Sequence, residues 1–383
     1  MYPKGNMLGL TNVWMPHNIT SGSISTTMPL QTNNVVRATG TANNYNNQLN
    51  DYLTKLNDLR AVHQQELGQY LDGNGTHDAY TYRQRGVDMA WKYEKADIEM
   101  GGRGSEHWNR QERQQILQDG RVQGAEGHHQ QNVADHPTEQ SNPDNIKFYR
   151  DRQQHLEEGH GGDFHNESDA PMTDKNQMLK DTNNRRLVGN ELMGAGIAAV
   201  ISFVAAFSLS LIVAAAQDGI TPETLKSSTI NGGNGAIIGT AGYAVGRVVA
   251  NHITPMLVNT LKKTGLKATP NISGACTMAI TGVAIIAIVF TIQFIRLKRK
   301  GYATKDALKQ VGKQAIKSLA VLALSVLIQA LFGNVLALIV GLAMGAIFLV
   351  RTLWSIHEGK KLSEIIQQIS ADLIYRKALI INK

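Results

Sequence analysis

Three long stretches without charged side chains constrain the fold of this chain more than any other feature. Residues 192–216 form a run of 25 residues without a charged side chain, and residues 273–295 form a second run. Residues 318–350 form a third, of 33 residues. About 20 apolar residues are enough for a helix to cross the hydrocarbon layer of a bilayer. The C-terminal half, residues 191–355, is therefore predicted to be an α-helical transmembrane domain.

The third run is too long for one span. As a single helix it would extend about 50 Å, against a hydrocarbon layer of about 30 Å. Gly333 and Asn334 lie near its middle and are typical of a helix end. This run is therefore predicted to form a helical hairpin with two short spans.

Residues 235–258 are the ambiguous apolar segment. Their glycines recur at small-xxx-small spacing, which permits close helix contact in lipid. Arg247 and Pro255 argue against a lipid-exposed span. If this segment does not cross, the protein has four spans, and the basic loop 296–317 lies on the same side as Lys180, Arg185 and Arg186. Basic residues concentrate on the cytoplasmic side, so we predict a multi-pass plasma-membrane protein with both termini in the cytoplasm.

The charges divide unevenly between the two halves of the chain. Residues 1–190 hold 19 basic and 24 acidic side chains, and residues 191–383 hold 19 basic and 7 acidic ones. The net charge of +7 is therefore attributed to loops that face anionic lipid and cytoplasm rather than to a nucleic-acid surface. Cys276 is the only cysteine, which excludes a disulfide framework and a thiolate metal site.

The remaining segments differ in composition. Residues 1–45 are rich in polar residues and are predicted to be disordered. Residues 46–76 show apolar residues at helical spacing before Gly73, which predicts an amphipathic helix that packs on its own domain or forms a short dimerising coiled coil. The other boundaries are a compact domain over 77–172 with Trp91 and Trp108 in its core, a flexible linker over 173–190, and an amphipathic helix over 356–383.

Histidines are concentrated in one part of the compact domain. Six of the 12 histidines lie between residues 128 and 165. Neutral imidazole is a good ligand for zinc and its neighbours, and three imidazoles leave a coordination position for water. A further imidazole is suited to take a proton from that water, since its pKa lies near neutral pH.

The local pattern around these histidines indicates two strands followed by a helix. His128 and His129 are adjacent, so in a strand they point to opposite sides. Residues 141–146, SNPDNI, are typical of a turn before a second apolar strand. Residues 150–159 then read as a short helix. This order is the outline of a ββα metal-binding motif.

The stretches GHH, PDNI and HLEEGHGG resemble the HNH nuclease superfamily, in particular its GHH-type members among bacterial polymorphic toxins. The similarity covers roughly residues 85–170. It implies an α+β fold in which a small ββα-metal domain precedes the transmembrane helices. It also implies endonuclease activity that depends on one divalent metal ion, which would be Mg, Mn, Ni or Zn.

The resemblance assigns roles to individual residues. His128 would be the first metal ligand and His129 the general base. Asn145 would fasten the loop between the strands and so hold that base in place. His155 and His160 would complete the metal site.

The spacing of the last pair departs from the family pattern. His155 and His160 are five residues apart, which is about 140° around a regular helix, so an uninterrupted helix would not let them share a metal. A left-handed Gly159 that ends the helix would turn His160 back toward the site. His165 is the alternative third ligand. Other candidates are Asp135, Asp163 and Glu126 as partners of the imidazoles, and Lys147, Arg150 and Arg152 as phosphate contacts.

The leading functional prediction is a membrane-anchored endonuclease that cleaves nucleic acid, with DNA as the expected substrate, in phage defence or as a toxin effector. Its partners would be nucleic acid and the lipid bilayer, with homo-oligomers formed through the Gly-rich segment or the N-terminal helix. One alternative is a histidine-rich metal-ion transporter or sensor. The four predicted spans contain no Asp, Glu, His, Lys or Arg, which disfavours transport. A second alternative is a pore-forming membrane effector.

Overall fold

The computed structural model describes residues 9–333 except residues 76, 167–168, 218, 266 and 268, together with eight single positions between 343 and 368. The chain divides into two units. We call Thr41–Asn190 the histidine-rich unit, and Met1–Gly40 with Glu191–Lys383 the apolar unit. Helices α1 (Gly9–Leu71) and α5 (Lys175–Gln217) contribute residues to both.

The histidine-rich unit contains one small sheet among helices. Its two strands are antiparallel, and they are joined by a loop that ends in a 3-10 turn over Pro143–Asn145. The order of strand, loop, strand and helix matches the prediction. The elements that lie wholly in this unit are α2 (Ala79–Glu99), α3 (Arg110–Asp119), β1 (Glu126–His129), β2 (Ile146–Tyr149), α4 (Arg152–Gln154) and a π-helical turn (His155–Gly159).

One face of helix α2 packs on the sheet through aromatic side chains. Trp91 stacks on Phe148 with ring centroids 3.9 Å apart, and Trp108 lies 5.6 Å from Trp91. Both tryptophans are buried, which confirms the prediction that they are core residues. The burial of three aromatic rings anchors β2 and thereby the strand pair that carries the histidines.

The opposite face of α2 packs on α1 and on the first turns of α5. Leu56 of α1 and Leu179 of α5 are buried in the same cluster as Tyr93. Residues 175–190 are therefore helical and packed, and the prediction of a flexible linker over 173–190 is wrong. The reason lies in polar tertiary contacts, because the buried Lys175 ammonium pairs with the buried Glu94 carboxylate at 3.3 Å.

Helix α1 is much longer than the predicted amphipathic helix. It begins at Gly9, so residues 9–45 are helical where disorder was predicted. Few of these residues are apolar, but Val35 and Ala38 are fully buried among small side chains of the apolar unit. The Asn34 side chain also donates to the Gly194 carbonyl at 2.7 Å. These contacts are distant in sequence and leave no local pattern.

The apolar unit contains helices α6 (Pro222–Lys263), α7 (Pro270–Arg299) and α8 (Thr304–Phe332). Within the part of the chain that the structure describes, three helices are long and apolar enough to cross a membrane, over Lys175–Ile212, Pro270–Arg299 and Thr304–Phe332. Helix α8 ends before Gly333, as the hairpin prediction requires. The second arm of that hairpin, and the amphipathic helix predicted over 356–383, lie outside the described residues.

The basic segment 296–317 is not an extended loop. Its first residues end α7, a short turn follows around Gly301, and the rest forms the beginning of α8. Helices tolerate lysine on an exposed face. The density of charge therefore did not show where helix α7 ends and helix α8 begins.

Residues 235–258 belong to a single helix, α6, which continues through Pro255. Its glycines permit a close approach to α5, since a Cβ atom at Gly239 would lie 2.6 Å from the Ala198 carbonyl oxygen. Arg247 is buried and pairs with the Glu191 carboxylate, with Nε 3.0 Å from a carboxylate oxygen. The arginine therefore faces the interior of the unit, where it has an anionic partner.

Candidate metal and active site

The strand pair places the two adjacent histidines on opposite sides of the sheet. In the antiparallel register His128 lies opposite Lys147, and His129 lies opposite Ile146. His128 is 5 % exposed and points toward the π-helical turn that follows α4. His129 lies at the end of the strand and contacts the loop between the strands.

The π-helical turn brings His155 and His160 together beside His128. Hydrogen bonds from residue i to i+5 widen this turn, so residues five apart lie on one side of it. The ring centroids are 5.0 Å apart for His128 and His155, 4.7 Å for His128 and His160, and 5.0 Å for His155 and His160. One ligand atom of each lies within 4.8 Å of the others. The predicted left-handed Gly159 is wrong, because Gly159 stays within the turn.

Hydrogen bonds set the tautomers of the two helical histidines. His155 Nδ1 donates to Glu126 Oε2 at 2.7 Å, and His160 Nδ1 donates to the Asn166 carbonyl at 3.0 Å. Each ring therefore presents a lone pair at Nε2. Such partners orient a metal-binding imidazole and raise its basicity.

The third ring completes a set of donors that fits a metal ion. His128 Nδ1 lies 3.0 Å from His155 Nε2. His128 Nε2 is buried and has no hydrogen-bond partner among the described residues. Burial, followed by the charges of His155 and His160, lowers the pKa of His128 to about 4. His128 is therefore suited to the neutral form of imidazole that binds a transition metal.

His129 is held by a backbone carbonyl next to this cluster. Its Nε2 donates to the Gln140 carbonyl at 3.0 Å, which leaves Nδ1 as an acceptor. Burial lowers the pKa of His129, although the hydrogen bond to Gln140 opposes this shift. The neutral ring is therefore favoured near pH 7.

Asn145 fastens the loop that supplies this carbonyl. The residue is fully buried, and its side-chain oxygen accepts from the Gln131 amide at 2.7 Å. Its side-chain nitrogen donates to the Gln131 and Glu139 carbonyls at 3.0 and 3.3 Å. Asn145, the last residue of the loop, is thus tied to the start of the loop at Gln131 and to its middle at Glu139, immediately before Gln140.

The structure also separates candidates that sequence spacing left equivalent. His165, the alternative third ligand, lies outside the group of three rings. Asp135 pairs with Asn132, and Asp163 accepts from the His165 amide, so of the three acidic candidates Glu126 is the one hydrogen-bonded to a cluster imidazole. No sequence signal identified the carbonyl of Gln140 as the partner of His129. The π-helical turn was not predicted either. The five-residue spacing of His155 and His160 was the one sequence feature that pointed to it.

Gly159 is required by the packing of the rings around the turn. A Cβ atom there would lie 2.9 Å from His155 Cδ2, 3.1 Å from Tyr149 Cε2 and 3.4 Å from His128 Nδ1. We therefore expect Gly159→Ala to displace the His155 ring and to lower metal affinity by about 10- to 100-fold, the range for disturbed ligand support. Equilibrium metal titration of the purified full-length protein measures this change.

The matched control for this prediction is Gly68→Ala. Gly68 also lies in a helix of the histidine-rich unit, but a Cβ atom there would meet nothing within 4 Å. This variant should bind metal as the wild type does. Equal affinity of the Gly159→Ala and Gly68→Ala proteins would show that the rings tolerate the extra methyl group.

Residues 80–150 match the Tox-GHH family. That family is described as a GHH signature containing HNH/Endo VII superfamily nuclease toxin. The match includes His128, His129 and Asn145 and ends before His155 and His160. It indicates a nuclease toxin domain in this part of the chain, and the structure adds the helical histidines. No solved structure matches the chain.

Proposed function

We propose that this protein is a membrane-anchored, metal-dependent HNH-type endonuclease that hydrolyses phosphodiester bonds of DNA. One observation carries the proposal: three imidazoles converge on one point beside a fourth imidazole, within the unit that matches a nuclease toxin family. This combination suits hydrolysis, because consecutive residues of one strand supply a ligand of a cation site and a proton acceptor.

The residues divide into binding, proton-transfer and positioning roles. His128, His155 and His160 would hold one divalent ion, which polarises a phosphoryl oxygen and stabilises the leaving oxyanion when it is bound. His129 takes a proton from the attacking water at Nδ1, since its Nε2 is occupied by Gln140. Asn145 acts as a positioning residue, because it holds the loop that carries Gln140.

The donor set narrows the choice of metal. Imidazole nitrogens suit zinc, nickel and their neighbours, whereas magnesium prefers oxygen ligands. Glu126 is the carboxylate that contacts a cluster imidazole, and its oxygen is engaged by that ring nitrogen. Zinc or nickel is therefore the expected ion, ahead of magnesium and manganese.

The toxin role is favoured over phage defence, because the matching family is described as a nuclease toxin.

The three apolar helices support membrane anchoring. The nuclease side is assigned to the cytoplasm from the basic residues Lys180, Arg185 and Arg186 and from those around residues 296–317. Protease cleavage of the histidine-rich unit from outside intact spheroplasts would contradict this orientation.

Cleavage by the purified full-length protein in detergent tests the activity. Supercoiled plasmid should be nicked by the metal-loaded protein, should survive after chelation, and should be cut again when zinc or nickel is restored. A structured RNA is assayed in parallel. Cleavage of RNA alone would replace DNA as the substrate, and metal binding without cleavage of either would favour the metal-sensor alternative.

A further inference from the structure

Lys147 occupies a position on β2 that brings a positive charge to the histidine cluster. The antiparallel register sets it directly opposite His128 on β1. Opposite residues in a strand pair send their side chains to the same face of the sheet. Lys147 therefore shares a face with the most buried of the three imidazoles.

The Lys147 side chain also borders the rest of the cluster. Its Nζ lies 4.9 Å from the centroid of the Tyr149 ring. That ring stacks on His155 at 5.5 Å and meets His128 edge-on at 5.8 Å. The ammonium group and two of the imidazoles thus contact the same aromatic ring, and the lysine remains partly exposed.

The charges around Lys147 differ from those around the neighbouring basic residues. Arg150 pairs with Glu112 at 3.0 Å, and Arg152 lies 3.9 Å from Glu126. No carboxylate among the described residues lies within ion-pair distance of Lys147. A cation beside a site that takes up a divalent ion is repelled by it, unless an anion joins both.

We propose that Lys147 is a substrate-binding residue that contacts a non-bridging oxygen of the phosphodiester to be cleaved. This inference rests on the proposed nuclease function. A phosphodiester carries one negative charge shared by two non-bridging oxygens, so one oxygen can face the ammonium group while the other faces the metal, and the anion reduces the repulsion between the two cations. Lys147 thus stabilises negative charge on the phosphoryl group, and it acts together with the cation rather than on the attacking water.

Two substrates distinguish the cleaved phosphate from its neighbours. The full-length, metal-loaded protein in detergent is assayed on supercoiled plasmid and on bis(p-nitrophenyl) phosphate, which has no flanking phosphates. Lys147→Met keeps an apolar chain over Tyr149 but removes the charge. It should lower kcat/KM on both substrates by about 10- to 100-fold, the range for one hydrogen bond to a charged group. Lys147→Arg should recover part of this loss.

The control is Lys92→Met, which removes an exposed lysine of α2 from the same unit. It should leave both activities within about twofold, since surface charges act weakly. Metal titration of every variant confirms an intact cluster. A loss on plasmid alone, or none beyond that of Lys92→Met, overturns the Lys147 proposal. A metal-loaded wild type that cleaves neither substrate overturns the nuclease function itself.

Discussion

Replacing His129 with alanine is expected to lower the rate of phosphodiester cleavage by about 10²- to 10⁴-fold, the contribution of a positioned general base. Metal content should stay nearly unchanged. His129 Nε2 is engaged by the Gln140 carbonyl, and the ring lies outside the group of three that converge on one point. The substitution therefore removes a proton acceptor without removing a ligand.

Initial rates on plasmid and elemental analysis of the same preparation measure the two quantities. His136→Ala is the matched control, because His136 lies near the same loop but outside the cluster. It should retain both activity and metal. Loss of metal from the His129→Ala protein would mean that the two adjacent histidines have exchanged roles.

Substitution of any one cluster histidine is expected to remove metal and activity together. His128→Ala, His155→Ala and His160→Ala each delete one of three nitrogens that lie within 4.8 Å of one another. Loss of a residue that hydrogen-bonds to a metal ligand typically lowers metal affinity 10- to 100-fold. The loss here should exceed this range, because a direct ligand is removed. Added metal at high concentration should restore part of the activity.

His165→Ala is the control that addresses the third ligand. His165 is exposed, and its backbone amide bonds to Asp163. This variant should bind metal and cleave as the wild type does. If it loses metal while His160→Ala keeps it, the third ligand is His165, and the π-helical turn does not form the site.

Local sequence was sufficient to predict the strand pair and the residues on it. Pro143 and Asp144 specify a tight turn, and the apolar residues after them specify a strand. The role of Asn145 was implied by the resemblance to the nuclease superfamily, and its side-chain amide bonds to backbone groups of the loop. Trp91 and Trp108 were predictable as core residues, because large aromatic side chains bury much apolar surface when they lie in a core.

The helical histidines were harder to place, because a π-helical turn depends on tertiary contacts. A regular helix would separate His155 from His160, and sequence alone offered only a left-handed Gly159 as a remedy. The observed turn is supported by rings around it, including Tyr149 and Phe164. Such packing is specified by residues on other elements and has no local signature.

Helices in polar sequence were the other failure. Residues 9–45 and 175–190 lack a continuous apolar stripe, so a disordered segment and a linker were predicted. Their helices are stabilised by partners that lie more than 80 residues away, such as Glu94 for Lys175 and Gly194 for Asn34. Hydrophobic periodicity and amino-acid composition do not predict contacts between residues so far apart in the sequence.

The pairing of Glu94 with Lys175 determines which stretch of the chain could be transferred to another protein as a folded unit. Glu94 is fully buried, and besides Lys175 it accepts hydrogen bonds from the Trp108 indole at 2.8 Å and the Ser105 amide at 2.9 Å. A recombination joint placed after residue 172 would transfer the histidines without Lys175, so the Glu94 carboxylate would be buried without its cationic partner. Removing one partner of a buried ion pair typically costs about 3–5 kcal/mol. Viable chimaeras should therefore inherit the beginning of α5 together with the histidine cluster, so the heritable cassette is longer than the region that carries the family signature.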